Sequence, residues 1–273
     1  MNYNNKDAQL ASLLNLDTNF DVVRKEIGIN KRGVIYFLSS LADSKSVFEL
    51  TYSFINASDE DIERQILNGS INECDDIYKA FISISSGMSV VLYRDKIYIV
   101  ETRNYPSRSI SEPDTERTIR GSKDGFTENI IINIGLIRRR IKSEYFYSKI
   151  YSVGESSKCD VVVCALNDKV NKKDLLMIEE RIKTLKVDDL VMSDRKLEEK
   201  LFNQKFNPFP LVKYSERPDI VASQLLKGNI AIVVDTSSSV IIVPTTIFEH
   251  TKHIEEYRQV SIVGTFIRLI RYL

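Results

Sequence analysis

Gly33-Val-Ile-Tyr-Phe-Leu-Ser39 and, far downstream, Lys158-Cys-Asp-Val-Val-Val-Cys-Ala-Leu166 are the stretches whose reading decides the fold. Each is a near-continuous apolar run of strand length, the pattern of a sheet position covered on both faces. Each follows a second strand candidate that ends in glycine, over 21–28 and 151–154. Ile27-Gly28 with Val34-Ile-Tyr-Phe37 aligns on Val153-Gly154 with Asp160-Val-Val-Val163 at an offset of 126 residues. Working outward, helices are expected at 8–14, 45–55, 59–68 and 75–84, the third opened by the capping run Ser58-Asp-Glu-Asp61. Strands at 89–93 and 97–100 flank the turn Arg94-Asp-Lys96. The second half repeats this order, with helices at 172–185, 195–204 and 219–227. Strands at 230–234 and 240–243 then flank Asp235-Thr-Ser-Ser-Ser239. Gly87 and Gly228, just ahead of these hairpins, align at an offset of 141. Shared order and spacing point to an internal duplication.

The expected fold is therefore α/β: two similar α/β subdomains, each a mixed sheet with packed helices, joined by an ordered loop and a long helix. The segments fall at 1–102, 103–142, 143–258 and 259–273, the last an amphipathic helix. The connecting stretch 103–125 holds Pro106, Pro113, Gly121 and Gly125 and is too proline-broken for a helix. A helix over 126–141 follows, capped by Asp124 or Thr127, with Ile130, Ile131, Ile134, Ile137 and Ile141 at helical spacing. Arg138-Arg-Arg140 complements its C-terminal dipole.

Composition narrows the function. Lys+Arg and Asp+Glu are both 38 in 273 residues, which argues against a general nucleic-acid coat. That neutrality averages unlike regions: 55–80 carries seven acids against two bases, whereas 129–142 has four bases and no acid. No run of 18 uncharged apolar residues exists, so a soluble chain is expected. The start, Met1-Asn-Tyr-Asn-Asn-Lys-Asp7, has no basic-then-apolar signal pattern. Three cysteines, Cys74, Cys159 and Cys164, suit a reducing interior. Cys159 and Cys164, five apart on a strand, point to opposite faces and cannot share a metal.

No catalytic constellation, cofactor site or metal site is expected. Gly121-Ser-Lys-Asp-Gly125 lacks the Gly-Lys-Ser/Thr of a phosphate loop, and Asp124 and Glu128 would repel an anion. His250 and His253 lack a third ligand, and 237–239 is not a nucleophile elbow. Glu112, Asp114 and Glu116, interleaved with Arg108, Arg117 and Arg120, read as a salt-bridge network fixing a loop against two modules. The triple arginine, without interleaved aromatics, reads as an ion-pairing or subunit-contact element rather than an RNA site.

The stretch Arg103-Asn-Tyr-Pro-Ser-Arg-Ser-Ile-Ser-Glu-Pro-Asp-Thr-Glu-Arg-Thr-Ile-Arg-Gly-Ser-Lys-Asp-Gly-Phe-Thr-Glu-Asn129, continuing to Leu136-Ile-Arg-Arg-Arg-Ile141, resembles the signature of the GerA family, the A-type subunits of spore germinant receptors. Val153-Gly-Glu-Ser-Ser-Lys158, Pro208-Phe-Pro-Leu-Val-Lys-Tyr-Ser-Glu-Arg-Pro-Asp219, Leu226-Lys-Gly-Asn-Ile-Ala-Ile-Val-Val-Asp235 and Val243-Pro-Thr-Thr246 continue it in order. Glu112-Pro-Asp-Thr-Glu116, 236–246 and Glu255-Glu-Tyr-Arg-Gln259 look closer to the branch encoded with the dipicolinate-channel proteins than to receptor subunits. Within the shared motifs Arg103, Arg108, Glu112, Asp114, Glu116, Arg120, Asp124, Glu128, Asn129, Arg138, Arg139, Arg140, Glu216, Arg217, Asp219 and Asp235 are the structural or interaction candidates.

The resemblance implies a soluble N-terminal region of two subdomains, followed by a membrane region that this chain lacks. It implies a non-enzymatic part in assembly and signal coupling of an ion-conducting complex of the spore inner membrane. Partners would be other subunits of that complex and further copies of the protein, with the domain on the cytoplasmic or core side. A germinant-binding or other small-ligand-binding domain is the alternative. Val260-Ser-Ile-Val-Gly-Thr-Phe-Ile-Arg-Leu-Ile-Arg-Tyr-Leu273 reads as a basic amphipathic helix lying just before the membrane, with Arg258, Arg268 and Arg271 unopposed.

Overall fold

The apolar runs form the second strands of two five-stranded sheets. The computed structural model describes residues 3–27, 33–56, 58, 60–61, 71–93, 96–104, 123–185, 193–202 and 212–245. The first module comprises α1 (Tyr3–Leu13), β1 (Val22–Ile27), β2 (Gly33–Leu38), α2 (Ser44–Asn56), β3 (Ile71–Cys74), α3 (Ile77–Ser85), β4 (Ser89–Tyr93) and β5 (Lys96–Val100). The second comprises α4 (Ile130–Arg138), β6 (Phe146–Val153), β7 (Cys159–Leu166), α5 (Lys172–Thr184), α6 (Ser193–Phe202), β8 (Lys213–Ser215), α7 (Pro218–Leu226), β9 (Ile230–Val234) and β10 (Val240–Val243).

The duplication is explicit in the topology. Strand order is β1-β2-β4-β5-β3 in one sheet and β6-β7-β9-β10-β8 in the other. Ile27 stands opposite Gly33, and Val153 opposite Cys159, so the offset of 126 holds in the strand register. The helices after which Gly87 and Gly228 stand also end alike. Met88 N–H donates to the Ser83 carbonyl and Asn229 N–H to that of Gln224, both at 3.1 Å. The glycines between adopt φ of +93° and +92°, a left-handed helix stop that L side chains resist.

The α/β architecture is as expected, but the sheets are antiparallel throughout rather than mixed. The apolar runs report cover on both faces, not strand direction. Val34, Tyr36 and Leu38 face α1 and α3, while Ile35 and Phe37 face α2. Val162, Cys164 and Leu166 face α4 and α7, while Val161, Val163 and Ala165 face α5 and α6. Cys164 and Cys159 accordingly lie on opposite faces of β7.

Three boundaries differ from expectation, and the short strands β3 and β8 were not foreseen. α1 begins at Tyr3 rather than at 8. β6 begins at Phe146, well before 151. The helix expected over 126–141 is the nine-residue α4, capped by Asn129 rather than Asp124 or Thr127. Asn129 Oδ1 accepts from the amides of Ile131 at 2.9 Å and Ile132 at 3.1 Å. The residues before it are held extended by other partners: Phe126 N–H donates to Glu216 O at 2.8 Å, and Thr236 N–H to Glu128 O at 2.9 Å. α4 is thus not a long connector. It precedes its sheet and packs on α7 as α1 packs on α3.

Candidate functional site

The most polar buried assembly in the described residues lies where the modules meet. Phe20-Asp21 ends the turn after α1, and its carboxylate is brought against α4, 117 residues away. Arg138 Nε lies 3.0 Å from Asp21 Oδ2 and Nη2 lies 2.7 Å from Oδ1, a two-point ion pair. The side chains are 5% and 0% exposed. Ser40 Oγ donates to Asp21 Oδ2 at 2.9 Å. The Ser148 hydroxyl lies 3.2 Å from Asp21 Oδ1 and 3.1 Å from Asn19 Oδ1, its one hydrogen shared between them. The Arg138 guanidinium also lies over the Phe146 ring, 4.2 Å from its centre.

Backbone contacts extend the junction. Phe20 N–H donates to Ser148 O at 3.1 Å, so the first module continues the edge of β6 for one residue. Asn19, buried, donates to the carbonyls of Leu14 at 2.8 Å and Phe146 at 3.0 Å and accepts from Ser148 N–H at 2.8 Å. Lys142 Nζ reaches Ser86 Oγ at 3.0 Å. Gly135 is required by close approach: a Cβ there would stand 2.4 Å from the Ser40 carbonyl oxygen. Beneath the pair, burial pushes the Cys164 thiol well above its ordinary range, the Asp21 charge adds to this, and Arg138 opposes it.

The expected site residues distribute around α4. Glu128, Asn129 and Asp235 gather at its N-terminus, where Asp235 Oδ1 accepts from Ile130 N–H at 3.2 Å. Arg140 pairs with Asp124 and also donates to Leu136 O at 2.8 Å. Of the triple arginine, Arg138 turns inward to Asp21 while Arg139 faces solvent, so the run divides between two ion pairs and a surface position rather than simply complementing the helix end. Glu216 contributes its carbonyl to the stretch before α4. Arg217, 1% exposed, pairs with Asp219 at the start of α7. Arg103 stands apart, paired with Glu101 at the end of β5. Arg108, Glu112, Asp114, Glu116, Arg120, His250, His253 and the expected 259–273 helix lie outside the described residues.

Asp21, Ser40, Ser148 and Gly135 were not singled out by sequence reasoning. The available signal was a lone acid inside Asn19-Phe-Asp-Val-Val23, directly before a strand. Nothing local announces its partner.

The arrangement can hold two modules in one geometry; it offers no nucleophile, base and orienter together. Among the described residues no group of three His, Cys, Asp or Glu could hold a metal, and no helix is long and apolar enough to cross a membrane. An open groove runs beside α1 between Ala8 and Thr18.

Comparison with known proteins gives these features their context. Stage V sporulation protein AF of Bacillus subtilis (strain 168) is 40% identical over 269 residues, covering 94% of this chain and 55% of that protein. Spore germination protein A1 of the same organism is 29% identical, again covering 94% of this chain and 55% of the relative. The chain therefore spans about half the length of these relatives. Neither name is that of an enzyme. The crystal structure of the N-terminal domain of the A subunit of the Bacillus megaterium spore germinant receptor GerK3 shares the fold, with a TM-score of 0.63 at 23% identity over 88% of this chain and 93% of that one. Residues 9–273 match the family described as Bacillus/Clostridium GerA spore germination protein. The chain belongs to that family.

Proposed function

We propose that this chain is the N-terminal, two-module part of a germination membrane protein of the type of stage V sporulation protein AF, and that its task is assembly and coupling rather than turnover. It stands on the core side of the spore inner membrane, joined to other subunits and further copies in a complex that conducts ions. The modules sit between partner contacts and the membrane region, so a change at one end is passed on through the junction. Support comes from the family, from the share of the relatives' length that the chain spans, and above all from the buried Asp21–Arg138 pair. A pair so desolvated gains little net stability over an apolar contact, but it admits only one relative placement of its two carriers. Registration of the modules is what such a device provides.

The test is the full-length protein in a sporulating host. Arg138→Met should lower the level of assembled complex and slow germination together, as should charge reversals Glu112→Lys and Arg120→Glu in the loop between the modules. An Asp21→Asn/Arg138→Met double variant, which leaves no stranded charge, should recover complex level more than either single change. Normal complex level and normal germination in Arg138→Met would refute the assignment. Labelling of a cysteine engineered on this domain from outside intact spheroplasts would refute the core-side placement.

A further inference from the structure

Strand β6 lies at the edge of its sheet, and only the first part of that edge is occupied. Ser148 N–H donates to Asn19 Oδ1 at 2.8 Å, and Ser148 O accepts from Phe20 N–H at 3.1 Å, so both backbone groups of Ser148 point away from β7. The pairing with β7 runs without a bulge from Phe146 to Val153, and in an antiparallel ladder this outward direction recurs at every second residue. The N–H and C=O of Ile150 and Ser152 therefore point outward too, and among the described residues they meet no partner. The first module fills one rung of this edge and leaves the next open.

The duplication shows that this openness belongs to β6 alone. At the offset of 126, Arg24, Lys25 and Glu26 of β1 correspond to Ile150, Tyr151 and Ser152. Arg24 folds back onto Asp7 of α1 at 2.7 Å and lies 3.6 Å from Glu26. Consecutive charges of this kind keep an edge strand from pairing. β6 has none of the three, and Ile150 stands 39% exposed in the place of Arg24. On the α5 face, Lys149 and Lys183 lie 5.8 Å and 5.9 Å from the centre of the Tyr151 ring, and neither is in an ion pair among the described residues. The acids of α5 do not answer them. Glu179 is buried against the Tyr147 hydroxyl, Glu180 is exposed, and half-exposed Asp174 lies about 13 Å of helix before Lys183. Asp160 is on the other face of the sheet, and Glu155 stands beyond the end of β6.

We propose that the edge of β6 from Lys149 to Val153 takes up, as an added strand, an extended segment of a partner protein that alternates carboxylate and apolar side chains. Its main chain bonds Ile150 and Ser152, its carboxylates meet Lys149 and Lys183, and its apolar groups cover Ile150 on the opposite face. The β6 edge of a second copy would bring the same two lysines and no acid, so an acidic strand is the better complement. This docking goes beyond the assembly reading and does not draw on the Asp21–Arg138 pair that tests it.

The test uses the full-length protein in detergent and the blocked peptide Val-Glu-Val-Glu-Val-Glu-Val, with Val-Lys-Val-Lys-Val-Lys-Val as the reversed-charge control. Hydrogen exchange at the Ile150 and Ser152 amides should slow about tenfold or more with the acidic peptide and stay unchanged with the basic one. Lys149→Glu combined with Lys183→Glu should weaken the acidic peptide about tenfold, what two exposed ion pairs are worth together. Ile150→Pro deletes one outward N–H at a position where an edge strand tolerates proline, and should abolish binding while circular dichroism shows the fold retained. The acidic peptide N-methylated throughout keeps its charges but cannot donate, and should give no protection. Exchange at Ile150 and Ser152 that the acidic peptide leaves unchanged, equal protection by the basic peptide, or undiminished binding of the N-methylated one would overturn the proposal. Self-association of the full-length protein that is lost in Ile150→Pro would assign the edge to a second copy instead. None of these outcomes bears on the assembly test with Arg138→Met.

Discussion

Removing the guanidinium of Arg138 is the most direct perturbation of the junction. In Arg138→Met, Asp21 keeps its fully buried carboxylate with only the Ser40 and Ser148 hydroxyls among its described side-chain partners. Stranding one member of a buried ion pair costs about 3–5 kcal/mol. For a chain of this size about 2–4 °C of melting temperature accompanies each kcal/mol, so the drop should be about 6–20 °C. Asp21→Asn strands the cation instead, but the Phe146 face retains a cation–π contact worth about 1–2 kcal/mol, which places this variant at the lower end. The double variant removes both charges. Its loss should fall short of the two single losses combined by about 2–3 kcal/mol, the coupling expected of groups in direct contact. Urea unfolding, followed both by far-ultraviolet circular dichroism and by tyrosine fluorescence, measures all four proteins; the chain has 13 tyrosines and no tryptophan. Additive single losses, or losses within about 0.5 kcal/mol of zero, would show that the junction carries no coupling.

Three further outcomes follow from individual residues. Gly135→Ala should destabilise by about 1–3 kcal/mol because its Cβ meets the Ser40 carbonyl; in a helix interior free of such contact the same change stabilises by about 1 kcal/mol, so a calorimetric gain would mean that the junction is open. Burial raises the Asp7 carboxyl, but hydrogen bonds from Arg24 and Tyr36 and the Arg24 charge outweigh it and hold the group below its ordinary 3.8. That stabilisation is present above the unfolded value and lost as pH falls through the folded one, so the deficit of Asp7→Asn should be full at neutral pH and vanish in acid; a pH-independent deficit would exclude it. Cys164, fully buried with its thiol pushed up by burial, should react with thiol reagents only after unfolding, and native-state labelling as fast as that of half-buried Cys159 would contradict the packing.

Much of the fold was legible because it rests on local pattern. The apolar runs at 33–39 and 158–166 gave β2 and β7, and the matched glycines marked the entry to the two hairpins, where the structure makes them helix stops. Strand direction was not legible, because two-sided burial produces the same apolar run in parallel and antiparallel sheets. The extent of α4 was misjudged for a related reason. Ile130 to Ile141 is apolar at helical spacing, but Thr127 and Glu128 take hydrogen-bond partners from Asn133 and from Thr236, which propensity cannot foresee. At the junction, Arg138 was visible as one of three arginines, but its distinction from Arg139 and Arg140 depends on which way the helix face turns. Asp21 looked like the first residue of a strand. A contact between residues 117 apart has no sequence period to betray it.

The duplication also explains why the junction has the direction it has. At the offset of 126 that relates the sheets, Asp7 of α1 corresponds to Asn133 of α4, and Leu10 to Leu136; all four turn inward. Gly135 and Arg138, which meet Ser40 and Asp21, correspond to Gln9 and Ser12. Ser12 is exposed and lines the open groove beside α1. The two copies thus share the helix face that builds their own cores and differ on the face that looks outward. Only α4 carries the glycine that permits close approach and the arginine that completes the ion pair. The modules are therefore not interchangeable: the second docks onto the first through its leading helix, and the leading helix of the first, with Gln9 and Ser12 in place of the glycine and the arginine, lacks the groups that make such a contact.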